Sequence, residues 1–181
     1  YYPSIAIEND IFPAHLGMAF CHIYRKLRDR RLVLEKKDPV RQVLKFALNV
    51  PFGSSNDEHS IFFDPAYMLA ITMNGQLMLC MLAEQFANLG VEIIKVNTDG
   101  ITIRFHESHT AQVNDIYKWW QKYTRMNLEF NGYMRMFIRD ANNYLAEDVD
   151  GNRKRVGAYG YGDWQADGSY FWQQDQSQAV V

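Results

Sequence analysis

The chain has 181 residues, of which 48% are hydrophobic and 14% aromatic, and its formal net charge is −2. That is enough material for one domain or two small lobes with a real core. The near-neutral total excludes general stickiness to nucleic acid, but it hides a strong asymmetry. Residues 25–45 hold nine Lys and Arg against three acids, a local charge of +6, so the other 160 residues carry −8. A run of this kind suits either a local polyanion contact or a solvated helical face. Cys21 and Cys80 have no metal-ligand spacing, which predicts reduced, buried thiols in an intracellular, cytoplasmic protein. The five histidines show no zinc pattern; His106 and His109 fall in a polar loop.

Along the chain, residues 1–8 read as the end of a strand or a turn around Pro3. A helix is predicted from Pro13 or Gly17 to Lys37, with Met18, Cys21, Leu27 and Leu34 among its apolar positions. Asp38-Pro39 breaks it and opens a second helix that runs to about Asn49 and stops at Pro51 and Gly53. So short a connection predicts an antiparallel helical hairpin. In the second helix Arg41, Lys45 and Asn49 share one face, while Val40, Val43, Leu44, Ala47 and Leu48 fall on the other.

Asp64-Pro65 opens a long helix to Gly90, about 37 Å at the usual rise. Thr72, Asn74, Gln76, Glu84 and Gln85 interrupt its apolar run, so no membrane span and no membrane partner are predicted. Residues 91–105 pattern as a β-hairpin around Asn97-Thr98-Asp99-Gly100. Its tip holds one carboxylate, Asp99, which can ligate a hard divalent cation and through it a phosphate. Asp-Gly is also simply the pair a tight turn wants. A helix over 111–126 carries Val113, Ile116, Trp119, Trp120 and Tyr123 on its apolar side. Strands follow at 128–149 and 153–161, with Asp150-Gly151 between them and a Gln-rich stretch at 173–178. The order predicts an α+β fold with an antiparallel sheet.

Three motifs carry a family resemblance. Lys45-xxx-Asn49-xx-Phe52-Gly53 resembles the fingers-helix motif of family B DNA polymerases. Tyr1-Tyr2-Pro3-Ser4-Ile5 resembles the tail of their first palm motif, and Asn97-Thr98-Asp99-Gly100 their second. Ile138–Tyr144, followed by Lys154-Arg155-Val156-Gly157, is similar to their primer-side Lys-x-Tyr region. The flavour is that of bacteriophage or mobile-element members, and the resemblance covers essentially the whole chain. It implies a palm over 1–16 and 51–161, a helical-hairpin fingers insertion over 17–50, and a palm-to-thumb connection over 162–181.

The resemblance also implies roles. Asp99 is the metal-ligating catalytic carboxylate for two Mg2+ (or Mn2+) ions. Tyr1 and Tyr2 lie at the incoming dNTP, Tyr2 under its sugar. Lys45, and Arg31 with Lys36 or Lys37, hold the triphosphate, and Asn49 lies near the nascent pair. Gly53, Thr98, Tyr144 and Lys154 face primer–template DNA, although Lys154 equally suits a solvated lysine. The remaining partners implied are exonuclease and thumb domains of a longer chain. This agrees with the lack of Met before Tyr1 and with the Gln-Ala-Val-Val end. The family's first-motif Asp falls four positions before Tyr1, which implies a segment nearly inert by itself. Asn97, Gly100, Val50, Phe52 and Asn142-Asn143 depart from the family pattern. The alternative readings are a non-catalytic nucleic-acid-binding module of the same shape, an α+β domain whose Asp-Gly turn and basic helix are coincidental, and another palm enzyme such as a reverse transcriptase, against which the Lys45-xxx-Asn49-xx-Phe52-Gly53 helix argues.

Overall fold

The computed structural model describes residues 1–35 and 37–159, together with two short strands at 163–164 and 170–171. Lys36, the Gln-rich stretch and most of the expected palm-to-thumb connection lie outside the described residues. The architecture is α+β, as the element order predicts. The chain forms two compact units, one of Tyr1–Ile94 with Thr98–Leu128, the other of Lys95–Asn97 with the chain from Glu129 onward.

The first unit opens on a helix, α1 (Tyr2–Glu8), where a strand end or turn was expected. Pro3 stands in its first turn, where its missing N–H costs nothing. Ile5, Ala6 and Ile7 are all fully buried. So short an apolar run has no readable period, and burial from several sides decided for helix. Helices α2 (Gly17–Leu32) and α3 (Pro39–Gly53) pack against each other as the expected hairpin. Asp38 caps α3 by accepting the Val40 N–H at 2.7 Å. α3 does not stop at Asn49 but continues through Pro51 to Gly53. Pro51 has no N–H to donate to the preceding turn, so the helix gives up one ladder bond there. The Leu48 carbonyl near that end accepts the buried Tyr24 hydroxyl.

The hairpin buries less than its pattern suggests. Leu44, Leu48 and Pro51 are buried on α3, while Val43 and Phe46 are exposed, as is Met18 on α2. α3 packs on α1 and α2, so its other apolar positions meet no layer.

Helix α4 (Pro65–Asn88) is the scaffold of the first unit. Asp64 caps it through the Tyr67 N–H at 3.0 Å and also accepts the Ala14 N–H at 2.8 Å. These bonds hold the Asp64 carboxyl below its ordinary pKa. By length and composition α4 is the described helix apolar enough to cross a membrane. Here Tyr67, Ile71, Gly75, Met78, Leu79, Leu82 and Phe86 turn inward to one core, and Leu69, Met73 and Leu77 stay exposed. Cys21 is buried as expected, but Cys80 is exposed, because it falls on the outer side of α4.

Strands β1 (Glu92–Val96) and β2 (Ile101–Arg104) form the predicted hairpin. His106–His109 is no loop: Glu107–His109 is a turn of 3-10 helix leading into α5 (Thr110–Thr124). Val113 and Trp120 of α5 are buried, whereas Trp119 and Tyr123 stack on each other outside the core. Trp120 Nε1 donates to the Met78 carbonyl at 2.7 Å, fastening α5 to α4.

The second unit holds an antiparallel sheet in the order β3 (Arg135–Asp140), β4 (Asn143–Glu147), β5 (Arg153–Val156). Strands β6 (Asp163–Trp164) and β7 (Tyr170–Phe171) pair antiparallel apart from it. The Asp150-Gly151 turn is present, with Gly151 at φ +81°.

Two outcomes follow from this core. Trp120→Phe removes volume and a buried hydrogen bond, and should lower unfolding free energy by about 1–3 kcal/mol in urea titration. Burial also raises the phenol pKa of both Tyr24 and Tyr67. A raised folded pKa gives stability that is complete below the unfolded value of about 10 and is lost as pH rises further. The urea midpoint should therefore fall above about pH 10, and ultraviolet titration should show these phenols ionising later than the rest.

Candidate functional site

Segments far apart in sequence come together at the start of α1. Tyr1 and Tyr2 stand at the start of α1, Phe52 and Gly53 at the end of α3, and Asp99 in the β1–β2 turn. The Tyr2 ring stacks on Phe52 with centroids 4.0 Å apart and planes 23° apart. Tyr1 tilts against Tyr2 at 5.7 Å, and its hydroxyl donates to the Gly75 carbonyl at 2.8 Å. Glycine permits that approach: a Cβ on residue 75 would lie 3.0 Å from Ile5 Cδ1 and 3.2 Å from the Tyr1 ring and hydroxyl.

Asp99 lies within electrostatic reach of Tyr1. The Tyr1 phenol is pushed up to about 12, by burial first, then by the Asp99 carboxylate and by Tyr2.

Arg31, in the last turn of α2, is half-buried, and its Nε is fully buried without a hydrogen-bond partner. Such a donor costs about 1–3 kcal/mol until an acceptor reaches it. Lys45 and Asn49 are exposed one turn apart on α3. Arg41, on the same face, is occupied, because its Nη1 bonds the Leu34 carbonyl and closes the α2–α3 connection.

Other cations of the basic run are also structural. Arg25 Nη2 bonds the Ile7 carbonyl at 2.8 Å and stands 3.7 Å from Asp10. Arg28 pairs with Glu8 and, at 3.0 Å, with Asp29. Part of the local +6 therefore fastens α2 to the segment around α1. Thr98 and Asp99 are exposed. Gly53 is exposed too, with open space where a Cβ would stand, so packing does not demand glycine there.

The second unit assembles a different group. Tyr144 on β4 is buried, and Lys95 Nζ lies 3.4 Å from the centre of its ring. Lys95 also donates to the Ala141 carbonyl at 3.2 Å. Burial lowers the pKa of Lys154, but the Tyr144 and Tyr133 phenols, which also accept its hydrogen bonds, more than offset this and raise it. Lys154 is therefore held at two hydroxyls. Asn143 is fully engaged: Nδ2 donates to both Asp140 carboxylate oxygens at 2.8 Å, and Oδ1 accepts the Ala158 N–H at 2.6 Å.

Sequence reasoning missed Gly75, Lys95, Tyr133 and the Asn143 clamp. Gly75 was legible as a glycine inside an apolar helix, a usual mark of close backbone approach. Lys95 and Tyr133 had no local signal, since their roles depend on strand neighbours.

The donor chemistry limits what metal this site can hold. Among the described residues, no group of three or more His, Cys, Asp or Glu comes together. A hard divalent ion takes about six oxygen ligands, and a two-ion centre needs carboxylates that bridge. Asp99 can serve as one ligand and does not complete such a centre by itself.

No family model and no curated protein matches the sequence. Among solved structures, the chain is similar to the family B DNA polymerase from the hyperthermophilic archaeon Pyrobaculum calidifontis. The TM-score is 0.59 at 16% identity, over 90% of this chain and 26% of that one. The chain thus spans about a quarter of that polymerase's length. At this identity the likeness bears on the fold alone, which is similar to part of that family B DNA polymerase.

Proposed function

We propose that this chain is the palm and fingers part of a DNA-directed DNA polymerase of family B, of the bacteriophage or mobile-element type. In that reading 17–50 is the fingers hairpin, 1–16 and 51–161 are palm, and 162–181 leads to a thumb. The observation that supports it is the Tyr2–Phe52 stack at 4.0 Å, which joins the first and the fingers motif, with the Asp99 carboxylate of the third acting on the Tyr1 phenol. Chance turn chemistry gives no reason for residues from 1–2, 45–53 and 97–100 to converge.

Each residue then has a task. Lys45 and Arg31 take the triphosphate of an incoming dNTP, and the unpaired Arg31 Nε gains an acceptor. Tyr2, backed by Phe52, offers a flat floor to the sugar. Asn49 lies toward the nascent pair. Tyr144 and Lys154 hold the primer strand, with Thr98 and Gly53 alongside primer–template DNA. Asp99 is one ligand of Mg2+ or Mn2+, which when bound neutralises charge developing on the transferred phosphoryl group. A second carboxylate is required beside it for a two-ion centre. Exonuclease and thumb domains of a longer, cytoplasmic polymerase would be its neighbours.

Asn97, which stands where the family motif has its first Asp, and Asn142-Asn143 favour a second reading, a non-catalytic module that keeps the polymerase fold and binds primer–template alone. Calorimetry with dATP separates the two. The polymerase reading expects binding that strengthens with Mg2+, weakens about tenfold in Lys45→Ala, and loses its Mg2+ dependence in Asp99→Ala. Primer–template binding with a steep salt dependence but no dATP binding would sink it in favour of the module.

A further inference from the structure

Gly75 stands in the buried stripe of α4, one turn after Ile71 and one turn before Leu79, both of which are buried. A glycine inside a helix weakens it relative to alanine, and Gly75 is not among the glycines with positive φ, so backbone conformation does not require it. What the position gains is proximity. The atoms nearest to a Cβ on residue 75 are Ile5 Cδ1 at 3.0 Å and Tyr1 Cε1 and the Tyr1 hydroxyl at 3.2 Å, and all three belong to α1 and its N-cap residue.

Neither side chain can step aside by itself. Ile5 is fully buried. The Tyr1 hydroxyl is tied to the Gly75 carbonyl at 2.8 Å, beside the atom that would carry the new methyl group. A methyl at residue 75 therefore presses the start of α1 away from α4 as a unit. Tyr2 rides on that unit: it lies in the first turn of α1, its ring tilts against Tyr1 at 5.7 Å, and it stacks on Phe52 at 4.0 Å. Phe52 belongs to α3, which packs on α1 and α2, so the Tyr2–Phe52 stack takes up the displacement.

We propose that Gly75 is a positioning residue for Tyr2, and that through Tyr2 it sets how strictly the site separates a deoxyribose from a ribose. The inference rests on the reading of Tyr2 as the floor beneath the sugar of the bound nucleotide. An added 2′ oxygen is rejected only where that floor is held in place; a ring displaced by a few tenths of an ångström makes room for it. Gly75 acts here through Tyr1 and Ile5 and needs no contact with the nucleotide.

Calorimetry of the 181-residue chain with dATP and with ATP, each in Mg2+, tests it. The parent should bind dATP more tightly than ATP, and Gly75→Ala should narrow that preference about threefold or more. Should the alanine chain fail to fold in circular dichroism, Tyr1→Phe decides, because it removes the bond to Gly75 without crowding and should narrow the preference too. Adding Ile5→Val to Gly75→Ala removes the nearest atom, Cδ1, and should restore part of the preference. In a Tyr2→Ala background Gly75→Ala should leave the preference unchanged, since the ring through which it acts is gone; a merely structural glycine would shift both nucleotide affinities alike in either background. Absence of dATP binding in the parent would remove the reading of the site, and this inference with it. A parent that binds dATP but prefers neither sugar, or a preference untouched by the deciding variant, would overturn the inference alone.

Discussion

Helix α1 is seven residues long, far too short to persist alone in water. It exists because Ile5, Ala6 and Ile7 are wholly buried and because Gly75 lets it press against α4. The Tyr1 hydroxyl on the Gly75 carbonyl and the Tyr2 ring on Phe52 then fix its first residues in two directions. The end of α3 and the start of α1 are thereby set against each other. The functional reading of the first unit depends on this contact, since Lys45 and Asn49 belong to α3, which it sets against α1.

Charge in the first unit does two jobs that the sequence runs together. Arg25, Arg28 and Arg41 spend their guanidiniums on backbone carbonyls and nearby acids, and so hold the hairpin to its base. Arg31 and Lys45 belong to the same basic run, yet an unpaired buried Nε and an exposed ammonium suit them to an anionic ligand. The partition follows from geometry: Arg25 and Arg28 lie on the side of α2 that faces α1 and the residues just after it, while Arg31 lies a turn beyond Leu27.

What could be read in advance tracks how local each signal is. Asp38-Pro39 and Asp64-Pro65 start helices at the residues expected, because a side-chain cap and a proline act within one turn. The hairpin around Asn97–Gly100 was equally legible, and so was the α+β order. The helical state of Tyr2–Glu8 was not, because the packing that selects it comes from residues tens of positions away. The exposure of Val43, Phe46, Trp119 and Tyr123 was hidden for the same reason: periodicity marks an apolar face but not whether a layer covers it. Asp99 and Lys45 could be singled out from motifs, whereas Lys95, Tyr133 and Asn143 act through strand register. Asn143 illustrates the point, since in sequence it only departs from the family pattern but in the structure it is a clamp between the Asp140 turn and Ala158.

The central claim is that the start of α1, the end of α3 and the Asp99 turn surround one nucleotide. Photo-crosslinking with an azido-dATP in Mn2+, followed by mass-spectrometric mapping, tests it most directly. Adducts confined to Tyr1–Tyr2 and to the Lys45–Phe52 stretch, and suppressed by unlabelled dATP, are the predicted result. Adducts scattered elsewhere, or unaffected by the competitor, would contradict it.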